Sequence, residues 1–248
     1  MQNREREKQI LEILRKAEGF VSVKELQKKL YASESSIRRD LRSLAAGGLI
    51  KKTYGGAMPI SGSDIALFSR RTRQNTEAKR DIAKKAAALI KEGDIVFLDA
   101  SSTAFYLADE IAGKGGITVV TNNIEIMMLL ASSNIKVISS GGYLSPENRN
   151  CLIGAAAEET FEGIFADITF FSVKAIDDNG ILSDCSAEEI AVRKTMLKNA
   201  NKKIILCDSS KFSGRAAFKQ GKLTEIDMLI SEGEKAKLYS AISGLELL

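Results

Sequence analysis

The sequence predicts an α/β protein in which a small helical domain precedes a larger domain built around a parallel β-sheet. Over the first 46 residues, apolar side chains recur at helical spacing and are followed by a hairpin pattern. From residue 76 onward, short apolar runs alternate with amphipathic stretches. That alternation is typical of parallel strands connected by helices on both faces of a Rossmann-like sheet. The predicted domains are residues 1–58 and 75–248, joined by a linker at 59–74.

The composition excludes several classes of function. The 248 residues are 44% hydrophobic and 27% charged and include no histidine, which excludes His-dependent triads and His-ligated zinc. The three cysteines are widely spaced and predict neither a disulfide framework nor a metal site. Residues 1–8 lack an apolar segment, and no apolar run reaches membrane-spanning length. We therefore expect no signal peptide, no membrane contact, no metal, no cofactor and a cytoplasmic location.

Charge is unevenly distributed along the chain. Residues 1–58 hold thirteen Lys or Arg against seven Asp or Glu, whereas residues 59–248 hold twenty-three against twenty-five. A small basic region beside a near-neutral one is typical of a polyanion-binding module on a separate body. A window of this length can also differ by a few charges by chance, so the residue pattern has to decide.

Three helices are predicted in the N-terminal domain. The first covers residues 4–17. The second begins at Ser22, where Ser-Val-Lys-Glu places a glutamate three residues after an N-cap hydroxyl, and ends near Tyr31. The third begins at Ser33, a favourable N-cap, and ends at about Ala46, before two glycines.

The third helix has two chemically different faces. At 100° per residue, Ile37, Leu41, Leu44 and Ala45 form an apolar face, and the opposite face carries serine and arginine. Arginine can bind guanine bidentately, and a helix N-terminus with serine can hold phosphate. Two helices joined by a tight turn, the second basic outside, form a helix-turn-helix. The candidate DNA-binding residues on the helices are Ser22, Ser33, Ser35, Ser36, Arg38, Arg39 and Arg42.

A two-stranded hairpin, or wing, is predicted at residues 49–60, with Gly55-Gly56 at its turn. Lys51 and Lys52 on this hairpin would lie against the phosphate backbone. Alternatively, the arginines form only a solvated helix face and the lysines promote solubility. The combination of caps, short turn, arginine face and basic hairpin favours a winged helix-turn-helix that binds DNA.

These elements resemble the DeoR-type bacterial transcription regulators. The resemblance rests on Arg6, Ile10 and Leu14 and on Ser-Ile-Arg-Arg-Asp-Leu at 36–41, where the family usually has Thr first. The family's wing usually carries His-Gly-Gly-Ala, and this chain has Tyr-Gly-Gly-Ala from Tyr54. Tyrosine keeps a planar, hydrogen-bonding tip, so the resemblance implies that Tyr54 also contacts DNA.

The larger domain is predicted to begin with a helix at residues 76–91 and to continue as alternating strands and helices. The basic run Arg70–Arg73 before it could touch DNA phosphate or pair with the larger domain. The predicted strands are 95–98, 117–120, 135–138, 168–173, 203–207 and 226–230. The predicted helices are 103–112, 123–131, 152–162, 187–199 and 234–242.

Polar residues follow the predicted strands where parallel sheets bind ligands. Hydroxyls and free N–H groups at a helix N-terminus form an anion site, a lysine adds charge, and Asn or Asp can hold sugar hydroxyls. Each residue is also a common cap or turn former, but several in one sheet favour a small phosphorylated polyol. ATP and dinucleotide glycine motifs are absent from the sequence. The candidates are Asp99, Ser101, Ser102, Thr103, Thr121, Asn122, Asn123, Gly141, Gly142, Asp208, Ser209, Ser210 and Lys211.

The family resemblance extends over this domain and nearly the whole chain. DeoR-type sensors resemble ribose-5-phosphate isomerase in fold and usually carry Asp-x-Gly-Ser-Thr, Thr-Asn-Asn, Gly-Gly and Asp-Ser-Ser-Lys-Phe. Ser101 stands where the family commonly has glycine. Lys174 follows a strand where small residues are common in the family, so it is either an additional anion contact or a surface lysine. The four family motifs, Asp-x-Gly-Ser-Thr, Thr-Asn-Asn, Gly-Gly and Asp-Ser-Ser-Lys-Phe, correspond in this sequence to residues 99–103, 121–123, 141–142 and 208–212, in that order.

The expected function is that of a non-enzymatic regulator that binds double-stranded operator DNA as a repressor of a sugar or polyol catabolic operon. A phosphorylated sugar or polyol effector would release it. One winged-helix unit offers little contact area, so a homo-oligomer, dimer or tetramer, is expected. Two rivals stay open. One is a sugar-phosphate isomerase-like enzyme with Asp99, Asp177 and Asp208 as candidate bases, and the other is an RNA-binding or non-specific chromosomal protein.

Overall fold

The computed structural model describes residues 2–17, 21–46, 50–53, 55–59 and 71–248. Contacts divide the chain into two compact units, residues 1–67 and 68–248. Among the described helices, none combines the length and apolar character needed to cross a membrane.

The N-terminal unit packs three helices against a small antiparallel sheet. The helices are α1 (Gln2–Ala17), α2 (Val23–Leu30) and α3 (Glu34–Ala46). The strands are β1 (Val21–Ser22), β2 (Ile50–Thr53) and β3 (Gly56–Pro59), in the order β1-β3-β2. Ile10, Leu14, Leu26, Ile37 and Leu41 are buried in one core. This confirms the predicted winged helix-turn-helix; β1 was not predicted, because two residues before an N-cap carry no strand pattern.

The larger unit is organised by a seven-stranded, fully parallel sheet. The strand order is β15-β14-β12-β9-β4-β5-β6. These strands are β4 (Ile95–Leu98), β5 (Thr118–Thr121), β6 (Lys136–Ser139), β9 (Ala166–Phe171), β12 (Ala200–Leu206), β14 (Met228–Ile230) and β15 (Glu246–Leu247).

Helices cover both faces of this sheet, as predicted. They are α4 (Thr76–Ala87), α5 (Ser102–Ile111), α6 (Ile124–Leu130), α7 (Ala155–Glu162) and α8 (Ala187–Lys198). Successive side chains of a strand point to opposite faces. In β4, Val96 and Leu98 pack in the core that includes α4, α5 and α6, and Phe97 packs in the core that includes α7 and α8.

Several short elements differ from the prediction. A hairpin of β7 (Tyr143–Leu144) and β8 (Leu152–Ile153) takes the start of the helix expected at 152–162. A second sheet joins β10 (Ala175–Ile176), β11 (Ile181–Asp184) and β13 (Phe218–Lys222).

The predicted helix 234–242 was wrong in type and extent. Glu234–Tyr239 form a 3₁₀-helix instead. Ala236 and Tyr239, three residues apart, are both buried there. A repeat of three residues per turn places these two side chains on one face.

The order in which the parallel strands are added changes side at the middle of the sheet, next to β4. From β4 the chain proceeds through β5 to β6, and β9 then lies on the other side of β4 and is followed by β12, β14 and β15. The carboxyl ends of β4 and β9 are therefore adjacent, which is where open α/β sheets bind ligands.

Candidate functional site

Serine hydroxyls organise the N-termini of α2 and α3. Ser22 Oγ accepts the backbone N–H of Glu25 at 3.2 Å. Ser33 Oγ accepts the N–H of Ser36 at 3.3 Å and lies 3.1 Å from Ser35 Oγ and 2.9 Å from Ser36 Oγ. Ser22 and Ser33 are therefore helix caps, and the exposed hydroxyl of Ser35 lies where a phosphate oxygen can reach it.

The arginines of α3 are exposed on the face opposite its buried residues. Arg38 donates Nε to Glu34 Oε1 at 2.8 Å, and Arg42 donates Nε to the Arg38 carbonyl at 3.3 Å. Arg39 forms no ion pair within the part of the chain that the structure describes. Exposed i,i+4 ion pairs contribute only about 0.3–0.5 kcal/mol, so these contacts can be exchanged for contacts to DNA.

The backbone of the wing carries the two predicted lysines. Lys51 pairs with Met58 and Lys52 with Ala57 across β2 and β3. Gly55 has φ +83° at the turn, which explains the need for glycine there. Tyr54, the remaining wing candidate, lies outside the described residues.

A buried ion pair fixes α3 to α1. Arg6 donates Nε to Asp40 Oδ2 at 2.5 Å and Nη2 to Oδ1 at 3.2 Å. Asp40 is only 1% exposed, and its hydrogen-bonded carboxylate raises the pKa of Arg6. The pair therefore positions the helix that carries the arginines, and only the family resemblance had indicated Arg6.

Asp99 connects the carboxyl ends of β4 and β9. Its Oδ1 accepts the backbone N–H of Ser101 at 3.1 Å. Its Oδ2 accepts the N–H of Ser172 and Nε of Arg193, each at 3.2 Å. Asp99 is 2% exposed and both oxygens are occupied by protein donors. The geometry therefore makes it a positioning residue for the loop.

Arg193 on α8 is the buried cation beneath this loop. Its Nη1 donates to Asp184 Oδ2 at 3.0 Å and to Gln220 Oε1 at 2.6 Å. Burial opposes its charge, but Asp184 and Asp99 outweigh burial and raise the pKa of Arg193. Burial also raises the pKa of Glu189 on the same helix. The sequence did not indicate Arg193, because one arginine within a helix forms no motif.

The loop after β12 is tied to the residue that precedes α4. Ser209–Lys211 form a 3₁₀ turn capped by Asp208, which accepts the N–H of Ser210 at 3.1 Å. Asn75 Nδ2 donates to Asp208 Oδ1 at 2.9 Å and to Ser210 Oγ at 3.2 Å. Sequence analysis missed Asn75, which lies 133 residues away from Asp208.

Residues 71–75, the strap, are held by bonds from side chains to the main chain. Lys79 Nζ donates to the carbonyls of Arg71 and Gln74, the latter at 2.6 Å. Tyr106 donates its hydroxyl to the carbonyl of Thr72 at 2.8 Å. These bonds fix the main chain of the strap to α4 and α5. Arg70 lies outside the described residues, and both alternatives for the basic side chains stay predictions.

Lys79 is a second lysine close to the predicted anion loop. It is 3% exposed, and burial lowers its pKa to about 8. Asp208 acts in the opposite direction, whereas the charges of Lys211 and Arg71 lower the pKa further. An anion bound here would favour the charged form of Lys79.

Several predicted groups at this edge are available to a ligand. Ser101 caps α5 by accepting the N–H of Ala104 at 3.1 Å. The hydroxyls of Ser102 and Thr103 and the ammonium of Lys211 form no hydrogen bond or ion pair within residues 71–248. Ser209 and Ser210 also line a groove of about 580 Å³ beside the strap.

Buried amides surround the end of β5. Thr121 Oγ1 accepts the N–H of Asn123, and Asn123 Oδ1 accepts that of Glu125, at 3.1 and 2.9 Å. Asn122 Nδ2 donates to the Leu152 carbonyl at 3.0 Å. The remaining amide atoms, Asn122 Oδ1 and Asn123 Nδ2, are buried without a partner in residues 71–248.

Asn148 and Asn150 add further unpartnered amides beside them. The N–H of Ile124 donates to the Asn150 carbonyl at 2.9 Å, which places this loop against the end of β5. Both amide atoms of Asn148 and Nδ2 of Asn150 are buried without a partner among the described residues. Each orphaned buried polar group costs about 1–3 kcal/mol, so the cluster indicates hydroxyl-bearing ligand or water. In the sequence these two asparagines form an Asn-x-Asn segment that follows Gly141-Gly142, and the sequence prediction did not include them.

The Gly-Gly pair and Lys174 complete the predicted set. Gly142 has φ +95°, and a Cβ there would lie 2.3 Å from the Ile153 carbonyl oxygen. Gly141 has φ +67° with open space around it. Lys174 is exposed and forms no ion pair in residues 71–248, as a surface lysine would be.

Both units match known protein families. Residues 6–62 match the family model described as "DeoR-like helix-turn-helix domain". Residues 74–233 match the "DeoR C terminal sensor domain". Among the described residues, no group of three or more His, Cys, Asp or Glu side chains is arranged to hold a metal ion.

Curated relatives align over most of both chains. The HTH-type transcriptional regulator GlpR of Haloferax volcanii is 32% identical over 92% of this chain and 89% of its own. The L-fucose operon activator of Haemophilus influenzae is 33% identical, covering 87% and 86%. The glycerol-3-phosphate regulon repressor of Escherichia coli is 28% identical, covering 94% and 92%.

Among solved structures, ribose 5-phosphate isomerase A of Methanocaldococcus jannaschii superposes with a TM-score of 0.43 and 20% identity. The match covers 56% of this chain and 55% of that one.

Proposed function

Because the chain belongs to the DeoR-type family of transcriptional regulators, we propose that it represses a sugar or polyol catabolic operon and that a phosphorylated sugar or polyol releases it from its operator. The observation that carries the effector part is the cluster of buried amides at the carboxyl end of β5, whose atoms have no partner among residues 71–248. The DNA-binding part rests on the capped, arginine-bearing α3.

In this proposal α3 lies in the major groove of operator DNA. Arg38, Arg39 and Arg42 read base edges or hold phosphate, and the serine-capped N-terminus accepts a phosphate group. Lys51, Lys52 and Tyr54 contact the backbone from the wing. Dimers or tetramers of the chain would bind repeated half-sites, since one winged unit makes few contacts.

The effector phosphate would bind at the N-terminus of α5, with Ser102, Thr103 and Lys211 as donors. Hydroxyl groups of the same ligand would pair with the orphaned amides of Asn122, Asn123, Asn148 and Asn150. Asp99 and Asp208 hold the loops in place through their bonds to the protein. Charged Lys79 adds to the positive potential near Lys211.

The strap offers a route from effector to DNA. A ligand on the loop of Ser209–Lys211 acts on the residues that hold Asn75, and Asn75 precedes α4 directly. The chain on the other side of the strap leads to the DNA-binding unit. The ligand changes operator affinity only as far as it binds the two conformers of the protein with different affinity.

A transcription assay decides whether the chain represses or activates its operon. One relative is a repressor and another an activator, so membership of the family does not fix the sign. A transcription assay with RNA polymerase, operator DNA and the protein separates the two. We expect less transcript with the protein and recovery with effector.

The rival isomerase function has weaker candidate bases. Asp99 is fully hydrogen-bonded, and the hydrogen bond from Arg215 at 2.6 Å lowers the pKa of Asp177. Oδ1 of Asp208 already accepts Asn75 Nδ2 and the N–H of Ser210. Incubation with ribose 5-phosphate should yield no ribulose 5-phosphate, and appreciable turnover would favour the enzyme.

The DNA-binding part is tested with promoter DNA from the protein's own operon. Arg39→Ala should lose about 1–3 kcal/mol of specific binding, measured by fluorescence anisotropy at fixed salt. Arg215→Ala, which removes the same charge from the larger unit, is the matched control. Equal affinity of Arg39→Ala and the wild type would remove Arg39 from base reading. Binding that depends steeply on salt with no preferred sequence would favour the non-specific rival.

The effector part is tested by release from the same DNA. A panel of sugar and polyol phosphates is added to wild type, Lys211→Ala and the double variant Ser102→Ala, Thr103→Ala. Both variants should bind DNA normally and need at least tenfold more effector for release. If they respond like the wild type, the hydroxyls and Lys211 do not hold the phosphate.

A further inference from the structure

A lysine-lined groove of about 560 Å³ lies between α8, β12 and β13 in the larger unit. It shares no lining residue with the candidate effector set described above. Lys194, Lys198, Lys203 and Lys219 line it, with Glu225 as its acidic member. Cavities of this size hold small organic ligands.

The lysines of the groove are mostly without counter-charge. Lys198 forms an exposed ion pair with Glu162 at 3.6 Å. Lys194, Lys203 and Lys219 form none within residues 71–248. Like charges facing one volume repel one another, and a multivalent anion in that volume would offset the repulsion.

Gln220 is a buried donor without a partner in the same groove. It is 6% exposed and lines the groove, and its Oε1 is fixed by Arg193 at 2.6 Å. Its Nε2 has no hydrogen-bond partner in residues 71–248. An orphaned amide N–H₂ beside lysines is suited to a ligand oxygen, because a donor left unpaired in the interior is unfavourable.

We propose that this groove binds a second anionic ligand, a small organic phosphate that carries at least two negative charges. The lysines supply the charge, and Gln220 Nε2 donates to a phosphate oxygen. Leu182, Leu197 and Ile226 line the same groove and accommodate the carbon skeleton. The volume favours a small molecule over a protein segment.

A series of buried hydrogen bonds connects this groove to the carboxyl edge of the sheet, where the effector is proposed to bind. Gln220 Oε1 accepts from Arg193, and Arg193 donates to Asp99, which holds the N–H of Ser101. A ligand that repositions the Gln220 amide therefore acts on the loop that begins α5. Occupancy of the groove is then coupled to effector affinity, and the coupling is reciprocal. This coupling rests on the proposed function, whereas binding in the groove does not.

The test is calorimetric titration of the full chain with pyrophosphate. Lys203→Ala with Lys219→Ala should weaken binding at least tenfold. Gln220→Glu, which keeps the oxygen that accepts Arg193 and replaces the orphaned donor, should weaken it similarly. Lys202→Ala is the matched control, because Lys202 neighbours Lys203 on β12, lies outside the groove lining and pairs with Glu246 at 3.8 Å. Lys202→Ala should retain this binding within about twofold.

Three outcomes would overturn the proposal. These are no pyrophosphate binding by the wild type, an equal loss in Lys202→Ala and the groove variants, and binding of an oligoglutamate peptide without binding of pyrophosphate. The last outcome would assign the groove to an acidic protein segment. Operator release is measured separately, so a failed effector proposal and an unoccupied groove give different results.

Discussion

Replacing Arg193 with methionine would leave the buried carboxyl group of Asp99 and the partly exposed one of Asp184 without their main counter-charge. Arg193 donates to Asp99 at 3.2 Å and to Asp184 at 3.0 Å, and its side chain is 5% exposed. Methionine fills a similar volume and makes neither bond. Asp99 is the more affected of the two, because it is nearly inaccessible to water whereas Asp184 is partly exposed.

The expected loss is about 3–5 kcal/mol in the free energy of unfolding of the larger unit at pH 8. This is the cost of removing one partner of a buried ion pair. Asp99→Asn with Arg193→Met removes both charges, so this double variant should be more stable at pH 8 than Arg193→Met alone. That comparison separates the unpaired charge from the lost packing.

The loss should depend on pH. Burial raises the pKa of Asp99, and Arg193 opposes that shift. Without Arg193 the pKa of Asp99 rises further above its unfolded value of 3.8. The folded variant then takes up a proton at a pH where the unfolded chain does not, so stability falls as pH rises. The deficit relative to the wild type should be smaller at pH 5 than at pH 8.

Urea unfolding followed by circular dichroism at the two pH values measures the effect, with hydrogen exchange of α8 and β4 amides assigning it to the larger unit. A deficit below about 1 kcal/mol, equal at both pH values, would refute the reasoning. Arg193 would then be replaceable by any side chain of similar volume.

Three further predictions use the same measurements. Gly142→Ala should cost more than about 2 kcal/mol, because Cβ would overlap the Ile153 carbonyl, whereas Gly141→Ala should cost about 1 kcal/mol; equal losses would contradict this. Asp40→Asn should destabilise the N-terminal unit by about 2–3 kcal/mol, against under 0.5 kcal/mol for the exposed Glu34→Gln. Because the pKa of Lys79, about 8, lies below its ordinary 10.5, the unfolding free energy should rise by about 2–3 kcal/mol from pH 8 to pH 10.5, relative to Lys79→Met. If the unfolding free energies of the wild type and Lys79→Met changed with pH in parallel, the lowered pKa of Lys79 would be contradicted.

The fold was largely predictable, because its main elements carry local signals. The winged helix-turn-helix followed from caps, periodicity and a glycine turn, and six of the seven parallel strands followed from apolar runs. The sheet of β10, β11 and β13 was not predicted. Its strands are short and partly polar, and Ile181 pairs with Lys222, forty-one positions along the chain. Such pairing is decided by tertiary packing.

The candidate site was predictable in position and less so in detail. Strand ends placed Asp99, Asn123 and Asp208 at one edge, but only the structure shows that their oxygens accept bonds from the protein. Asn148 and Arg193 were missed, since neither lies directly after a sheet strand. Their contribution depends on burial, which a single sequence does not display.

The strap has a consequence for how this region can evolve. Lys79 and Tyr106 donate to the main-chain carbonyls of Arg71, Gln74 and Thr72, so these three hydrogen bonds do not require a particular side chain at positions 71, 74 and 72. Substitutions at positions 71, 72 and 74 during evolution can therefore change the charge or size of these side chains while the hydrogen bonds to the main chain persist. Substitution of Lys79, Tyr106 or Asn75 would remove that residue's own bonds, because each of these residues bonds through its own side chain.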